Sequence, residues 1–203
     1  MVYLHSLITK NFGMKTNIFT KKLIIVFFGF LFNTATIANE EAKYDVVHKT
    51  NIYQIRLYSE RLVVESIYNS NSSTFRKLFQ YISGANNGSQ KIKMTIPVNQ
   101  IKKNSTNFMQ FILPSSFDKE TIPIPSNSEV KISIIEKGYF AVIEYSGRSS
   151  DKNFIKYSKV LQKKLLEDKI LIKGLAIKAT YNSPFTLPLL RRNEAMFRVK
   201  WKG

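Results

Sequence analysis

The chain has 203 residues, of which 31 are lysine or arginine, 14 are aspartate or glutamate and none is cysteine. This length fits one ordinary domain with a short additional segment. The absence of cysteine excludes disulfides, thiolate metal sites and covalent Cys-x-x-Cys-His haem attachment. The net charge of +17 attracts anions in general. The basic residues accompany no nucleic-acid-reading motif, so nucleic acid is not a predicted partner.

The N-terminal segment has the order of a secretory signal peptide. Lys21 and Lys22 precede an unbroken apolar run from Leu23 to Phe32, and small residues follow up to Ala38. Basic, apolar and small-residue regions in this order are typical of export signals. The run is shorter than the ~20 residues that span a bilayer. We therefore predict a signal peptide over residues 1–38, cleaved after Ala38, and the alternative is an uncleaved N-terminal anchor.

Export predicts a periplasmic or secreted protein that begins at Asn39. Met14 is an alternative start, since it leaves a more compact basic region. The predicted signal holds four lysines and no acidic residue, so the remaining chain keeps 27 basic and 14 acidic residues. Its net charge of about +13 favours an anionic ligand or peripheral contact with an anionic membrane.

The first half of the mature chain has the pattern of two strands, a helix and two further strands. Apolar and polar residues alternate from Tyr53 to Tyr58, as expected of a half-buried strand. Apolar residues at the i, i+3, i+4, i+7 spacing then indicate a helix that Ser72 and Ser73 cap and Gly84 ends. The helix stripe consists of Phe75, Leu78, Phe79 and Ile82. The other strands are expected from Leu62 to Tyr68, Lys91 to Val98 and Phe108 to Leu113.

The second half repeats this order. Val130 to Ile134 and Tyr139 to Tyr145 are the expected strands of a hairpin, with Gly138 in its turn. Ser150 and Asp151 cap a longer helix. Its apolar stripe consists of Phe154, Tyr157, Leu161 and Leu165. The last two strands are expected from Gly174 to Tyr181 and from Ala195 to Trp201.

Equal spacing relates the two halves. Glu65 and Glu144 lie 79 residues apart, and so do Phe75 and Phe154. We therefore predict an α+β fold, a distorted antiparallel β-barrel of about eight strands with two flanking helices, built from a duplicated β-β-α-β-β unit. The expected ranges are 50–114 and 129–202 for the pseudo-repeats and 39–203 for the single domain.

Four segments occur in an order that is typical of one known family. They are Tyr81 to Asn87, Lys91 to Val98, Tyr181 to Pro184 and Arg191 to Glu194. The set resembles the signature of the SOUL haem-binding protein family, and the resemblance covers residues 44–201. It implies a distorted barrel with helices packed outside, and kinship in fold with small-molecule effector domains of the GyrI-like kind.

The resemblance also implies that haem or a related tetrapyrrole binds without covalent attachment in a shallow apolar pocket. In the family this pocket lies along the first helix and under the loop before the final strand. The cation positions of the family fall on Ser72, Gln80 and Thr186 or Leu187 here, so Arg76 or Lys77 is expected to screen the propionates. The residues expected to bind the ligand are Phe75, Arg76, Phe79, Phe185 and Leu187.

Two of these features have a second interpretation. Phe75 and Phe79 have the helical spacing of ordinary core residues, which is the default interpretation of such a pair. The loop over residues 184–190 is unusually apolar, which suits a pocket cover, a cap on the core or a surface for a protein partner. We interpret the segment Arg191 to Glu194 as architecture, with Asn193 bonded to turn backbone and Glu194 paired with an arginine.

The sequence indicates no firm axial ligand and no metal site. His48 is the one histidine beyond the predicted signal. The histidine that some family members carry after an Ile-Arg pair is replaced here by Leu57, which follows Ile55-Arg56. Met94 is expected to point inward as a core residue. No catalytic residue and no enzymatic activity are predicted, although Glu65 and Glu144 form an alternative acid/base pair if they approach each other.

The sequence therefore predicts an exported protein that binds haem or another apolar, anionic small molecule reversibly, as a carrier or buffer. The alternative is a binding module for another hydrophobic ligand or for a protein partner, acting through the apolar loop at 184–190.

Overall fold

One curled, antiparallel sheet forms the body of the protein. A computed structural model describes residues 39–68, 71–103 and 106–202. The predicted signal peptide at 1–38 lies outside these residues. Within the described ranges, no helix has the length and apolar character required to cross a membrane.

Twelve strands and two α-helices make up the described chain. The first six strands are β1 (Glu40–Glu41), β2 (Tyr44–Lys49), β3 (Gln54–Tyr58), β4 (Arg61–Tyr68), β5 (Thr95–Ile96) and β6 (Val98–Lys103). The other six are β7 (Thr106–Ile112), β8 (Lys131–Ile135), β9 (Gly138–Tyr145), β10 (Leu171–Ile172), β11 (Ile177–Thr180) and β12 (Asn193–Lys200). Helix α1 (Asn71–Ile82) follows β4, helix α2 (Asp151–Glu167) follows β9, and a 3-10 turn (Pro188–Leu190) precedes β12.

The strands of the main sheet lie in the order β2-β3-β9-β12-β11-β6-β7-β4-β8, and β10 also pairs with β12. A separate parallel pair joins β1 to β5. The predicted α+β class and the curled antiparallel sheet with two helices are therefore confirmed. The sequence patterns missed β1, β2, β10 and most of β6. Strand β2 is an exposed outer strand without clean alternation, β1 and β10 have only two residues each, and β6 was predicted only at Val98.

The duplicated β-β-α-β-β order is present, but its strands are exchanged between the two units. Strand β3 pairs with β9 of the second unit, while β8 pairs with β4 of the first. Strands β6 and β11 pair at the centre and join the two halves. The predicted hairpin of β8 with β9 is therefore wrong, since each of these strands pairs with a strand from elsewhere in the chain.

The strand predicted from Lys91 to Val98 is much shorter in the structure. Only Thr95 and Ile96 form a strand there, and β6 begins after Pro97. Proline has no backbone N–H to donate to a ladder, so it interrupts the predicted run. Upstream, the Asn86 side chain bonds to the backbone N–H and C=O of Gln90 at 2.9 and 2.8 Å, which holds this segment as a loop.

The two helices cover one face of the sheet. Helix α1 buries Leu78, Tyr81 and Ile82 against β4 and β7, while α2 buries Leu161 and Leu165 against β9 and β12. The Ser150 hydroxyl caps α2 by accepting from the Asn153 N–H, as predicted. Helix α1 begins at Asn71, one residue before the predicted cap.

The opposite face of the sheet, here called the inner face, carries a buried ion pair. Arg56 on β3 contacts Glu194 on β12 at 3.0 Å, and both side chains are almost fully buried. The Tyr181 hydroxyl donates to the other Glu194 oxygen at 2.7 Å, and Arg192 reaches the same carboxylate at 2.8 Å. Asn193 donates to the carbonyls of Tyr145 and Gly147. The architectural interpretation of this segment is thus confirmed.

The ion pair and its burial shift the pKa values of Arg56 and Tyr181. Burial lowers the pKa of Arg56, but the Glu194 carboxylate and the Tyr58 hydroxyl together outweigh this and raise the pKa overall. Burial, and then the same carboxylate, raise the pKa of the Tyr181 hydroxyl. Arg56 therefore stays charged and Tyr181 stays protonated at neutral pH, with Tyr181 as the hydrogen-bond donor.

Removal of the carboxylate is expected to destabilise the fold strongly. Glu194→Ala leaves the buried Arg56 charge uncompensated, a defect that costs roughly 3–5 kcal/mol. Glu144→Ala is the matched control, because Glu144 pairs with Glu194 across the β9–β12 ladder but is 58% exposed. Its loss is expected to cost less than about 1 kcal/mol. Urea denaturation checks both values, and equal losses in the two variants would contradict the account.

Candidate functional site

Two aromatic rings lie side by side on the open flank of α1. Phe75 and Phe79 are 40 and 49% exposed, and their rings stack with centroids 6.2 Å apart. Phe75 also meets the ring of Phe111 edge-on at 5.2 Å. Leu78 and Ile82 occupy the buried side of the helix instead. The default interpretation of Phe75 and Phe79 as core residues is therefore wrong, because they sit at the edge of the helix–sheet contact.

The loop between β11 and β12 displays a second apolar surface. Four of its side chains are between 67 and 93% exposed. They are Phe185, Leu187, Leu189 and Leu190. Contiguous exposed apolar groups of this kind mark binding surfaces more often than isolated ones do. The core-cap interpretation of this loop is thus wrong.

Hydrogen bonds hold the loop in shape. The Arg191 guanidinium donates to the carbonyl of Thr186 at 2.7 Å and also to that of Pro184. The Gly147 N–H donates to the Pro188 carbonyl at 2.8 Å, which ties the loop to the segment before α2. The apolar side chains are consequently displayed on a backbone that is already ordered.

The helix and the loop meet the sheet at the same end. Thr180, the last residue of β11, lies opposite Val98, and Val98 lies opposite Phe111. Since neighbouring strands are ~4.8 Å apart, the loop departs about 10 Å from the strand position that contacts Phe75. The ring of Phe185 is almost fully exposed, so the loop stays open and does not close over α1.

A family model described as SOUL heme-binding protein matches residues 39–198. The chain belongs to the SOUL haem-binding protein family. This family is one of binding proteins rather than typical enzymes. No curated protein sequence matches the chain significantly.

Solved structures with this fold show little sequence similarity. The C-terminal domain of EcmrR aligns with a TM-score of 0.56 at 12% identity, over 77% of this chain and 98% of that one. A protein from Listeria innocua described as a hydrolase aligns with a TM-score of 0.56 at 9% identity, over 80% of this chain and 100% of that one. At these identities the likeness establishes the fold alone.

The site of this SOUL protein suits the apolar ring of a tetrapyrrole better than its iron. Phe75 and Phe79 offer flat surfaces that can pack against a macrocycle. Arg76 is exposed beside them, one helical turn from Phe79 and Gln80. Lys77, the second predicted cation, is already paired with Glu129 at 2.7 Å. Arg76 is therefore the better partner for a propionate.

The candidate axial ligands lie elsewhere or are covered. The His48 ring on β2 packs 5.0 Å from the ring of Trp201, in the half of the sheet that α2 covers. Met94 is partly buried against the core beneath α1. Among the described residues, no group of three or more His, Cys, Asp or Glu side chains is placed to hold a metal ion. The fit to haem thus rests on its apolar ring and its propionates.

The two carboxylates of the alternative acid/base pair are each engaged by another side chain. Glu65 accepts from the Gln110 amide at 2.7 Å, while Glu144 lies 3.5 Å from the Arg192 guanidinium. Each carboxylate thus has its own partner.

Sequence reasoning missed the inner-face position of Arg61. Its guanidinium lies 4.1 Å from the Tyr58 ring centroid and 5.2 Å from that of Phe140. Strand alternation could have predicted this position. Leu62 and Val64 face the helices, so Arg61 and Val63 must face the other side of the sheet.

Adjacent residues of α1 test the placement of its aromatic pair. Leu78→Ala removes a fully buried side chain and is expected to cost about 2–5 kcal/mol of unfolding free energy. Phe79→Ala removes a ring that is half exposed, and we expect a loss well below that of Leu78→Ala. Chemical denaturation of both variants measures the difference. A loss for Phe79→Ala equal to that for Leu78→Ala would place the ring in the core.

Proposed function

We propose that this SOUL-family protein binds haem or a related tetrapyrrole reversibly, as a carrier or buffer. The macrocycle would lie against Phe75 and Phe79 and under the β11–β12 loop, with Phe185 and Leu187 on its other side. The observation that supports this most is the exposure of both apolar surfaces at the same end of the sheet.

The expected strength follows from the area that such a contact would bury. Removal of about 300 Å² of apolar ligand surface from water contributes roughly 7 kcal/mol. Association itself costs several kcal/mol, so binding near the micromolar range is expected. Arg76 would offset part of the propionate charge, and the positive net charge of the chain would attract the anion.

No catalytic residue is part of this proposal. Binding through the ring and propionates alone leaves the iron without a protein ligand, which favours exchange of the ligand over electron transfer.

A haemin titration of the chain from Asn39 to Gly203 tests the proposal through Soret absorbance. The wild type is expected to saturate at one haemin per chain near micromolar concentration. Phe75→Asp and Phe185→Asp each place a charge against the ring and should weaken binding at least about tenfold. Ile155→Asp is the control, because Ile155 is as exposed as Phe79 but lies on α2.

Two results would count against haem binding at this site. One is uptake that does not saturate. The other is saturable uptake that Phe75→Asp leaves unchanged while all variants remain folded by circular dichroism.

A protein partner at the apolar loop is the second candidate. The near-complete exposure of Phe185 and Leu189 in the unliganded chain favours it, since a flat partner surface could cover both. A substitution on α1 distinguishes the two functions, because Phe75→Asp should weaken haem binding at least about tenfold without affecting a partner held only by the loop.

We also propose that the protein is exported and processed after Ala38. The order of lysines, apolar run and small residues before Asn39 supports this. Mass spectrometry of the full-length chain, expressed in a bacterial host and recovered from the periplasm or medium, is expected to show Asn39 as the first residue. Recovery from the membrane fraction with the apolar run intact would instead support the anchor alternative.

A further inference from the structure

A cavity of about 510 Å³ opens at one end of the sheet, away from the exposed rings of α1. Three segments enclose most of it: Glu40–Lys43 with β1, Ser59–Leu62 at the β3–β4 turn, and Ile112–Glu120 after β7. Its volume lies within the ~300–1,000 Å³ that ligand pockets usually have. Neither Phe75, Phe79 nor the β11–β12 loop contributes to its wall.

Part of the cavity wall is apolar. Its apolar side chains come from the connection between β1 and β2, from β4, and from the end of β7 with the loop that follows. They are Ala42, Leu62, Ile112, Leu113, Pro114 and Phe117. Ile112 and Leu113 are buried, so the wall belongs to the folded core and does not depend on a ligand for its shape.

Arg61 supplies a cation to this wall without a matching anion. Its Nε atom is buried and has no hydrogen-bond partner in the described chain. None of the described carboxylates lies within 4 Å of its guanidinium, and its close neighbours are the rings of Tyr58 and Phe140. Burial lowers the pKa of Arg61 to about 10, so the group remains protonated at neutral pH. An unpaired cation in such surroundings is costly unless an anion approaches it.

The carboxylates around the cavity are mostly engaged already. Glu41 pairs with Arg192 at 2.9 Å, and Glu60 pairs with Lys119 at 3.3 Å. The other acidic side chains in the wall are exposed to water. They are Glu40, which accepts from the Ser115 N–H, Asp118, which accepts from Thr121, and Glu120. Water screens such exposed charges, so Arg61 is the group that most needs a partner.

We propose that this cavity binds a small amphiphilic anion. A carboxylate or phosphate head group would pair with Arg61, and an aliphatic body would pack against Ala42 and Ile112, which lie on the same face of the sheet as Arg61. The site uses different residues from those proposed for haem, so it stands or fails independently of the haem proposal.

Calorimetric titration of the chain from Asn39 to Gly203 with ten-carbon probes tests both halves of the proposal. Decanoate and decyl phosphate carry the expected anionic head, and whichever binds more tightly identifies the head group. Decylamine and decan-1-ol have the same aliphatic body without the anion, and we expect each to bind at least about tenfold more weakly.

Substitutions of Arg61 test the proposed contact with the anionic head group. Arg61→Met should weaken binding of the better anion at least about tenfold, while Arg61→Lys should retain most of it. Arg148→Met is the matched control, since Arg148 is exposed and lies outside the cavity wall. Ser115→Trp, at the exposed rim, should block the anion without loss of a charge.

Changes in the amide chemical shifts of the wild type locate the bound anion even if Arg61→Met fails to fold. Saturable shifts confined to residues 59–62 and 112–120 would support the site. Shifts centred on α1 or on residues 185–190, equal binding of decylamine, or anion binding unchanged in a folded Arg61→Met variant would each overturn it. Displacement of the bound anion by stoichiometric haemin would also overturn it, because the two ligands would then share one site.

Discussion

The buried pair of Arg56 and Glu194 joins two strands that are far apart in sequence. It fixes the relation between β3, which begins the first unit, and β12, which ends the second. A desolvated ion pair is tolerated only when every partner is in place, and here Tyr181 and Arg192 complete the set. The exchange of strands between the duplicated units therefore places a polar network in the interior. This network tolerates few other side chains at its positions.

The two surfaces with a proposed function, the exposed rings of α1 and the cavity lined by Arg61, lie at different places relative to this ion pair. The helices cover the face opposite the ion pair, so Phe75 and Phe79 emerge at the edge of that cover. The same network extends through Arg192 to Glu41, which fixes β1 beside the cavity that Arg61 lines. An exposed apolar surface and a cavity with Arg61 in its wall thus lie at different places on one scaffold.

Periodicity and turn residues were enough to predict the class, the two helices and the duplicated order, because these depend on local pattern. Strand exchange was not predictable from them, since Ser59 and Glu60 look like an ordinary hairpin turn between strands that do not pair. The resemblance directed attention to Phe75 and Phe185, and the structure shows both exposed. The role of Arg61 depends on which charges surround it across the inner face, and sequence spacing carries no such information.

Paramagnetic line broadening by bound haemin tests the central claim most directly. Ferric haemin broadens amide signals near the iron, and zinc protoporphyrin serves as the diamagnetic reference. The account predicts selective broadening along residues 75–80 of α1 and residues 184–190 of the loop, with α2 unaffected. Broadening centred on residues 112–120, or spread evenly over the domain, would contradict it.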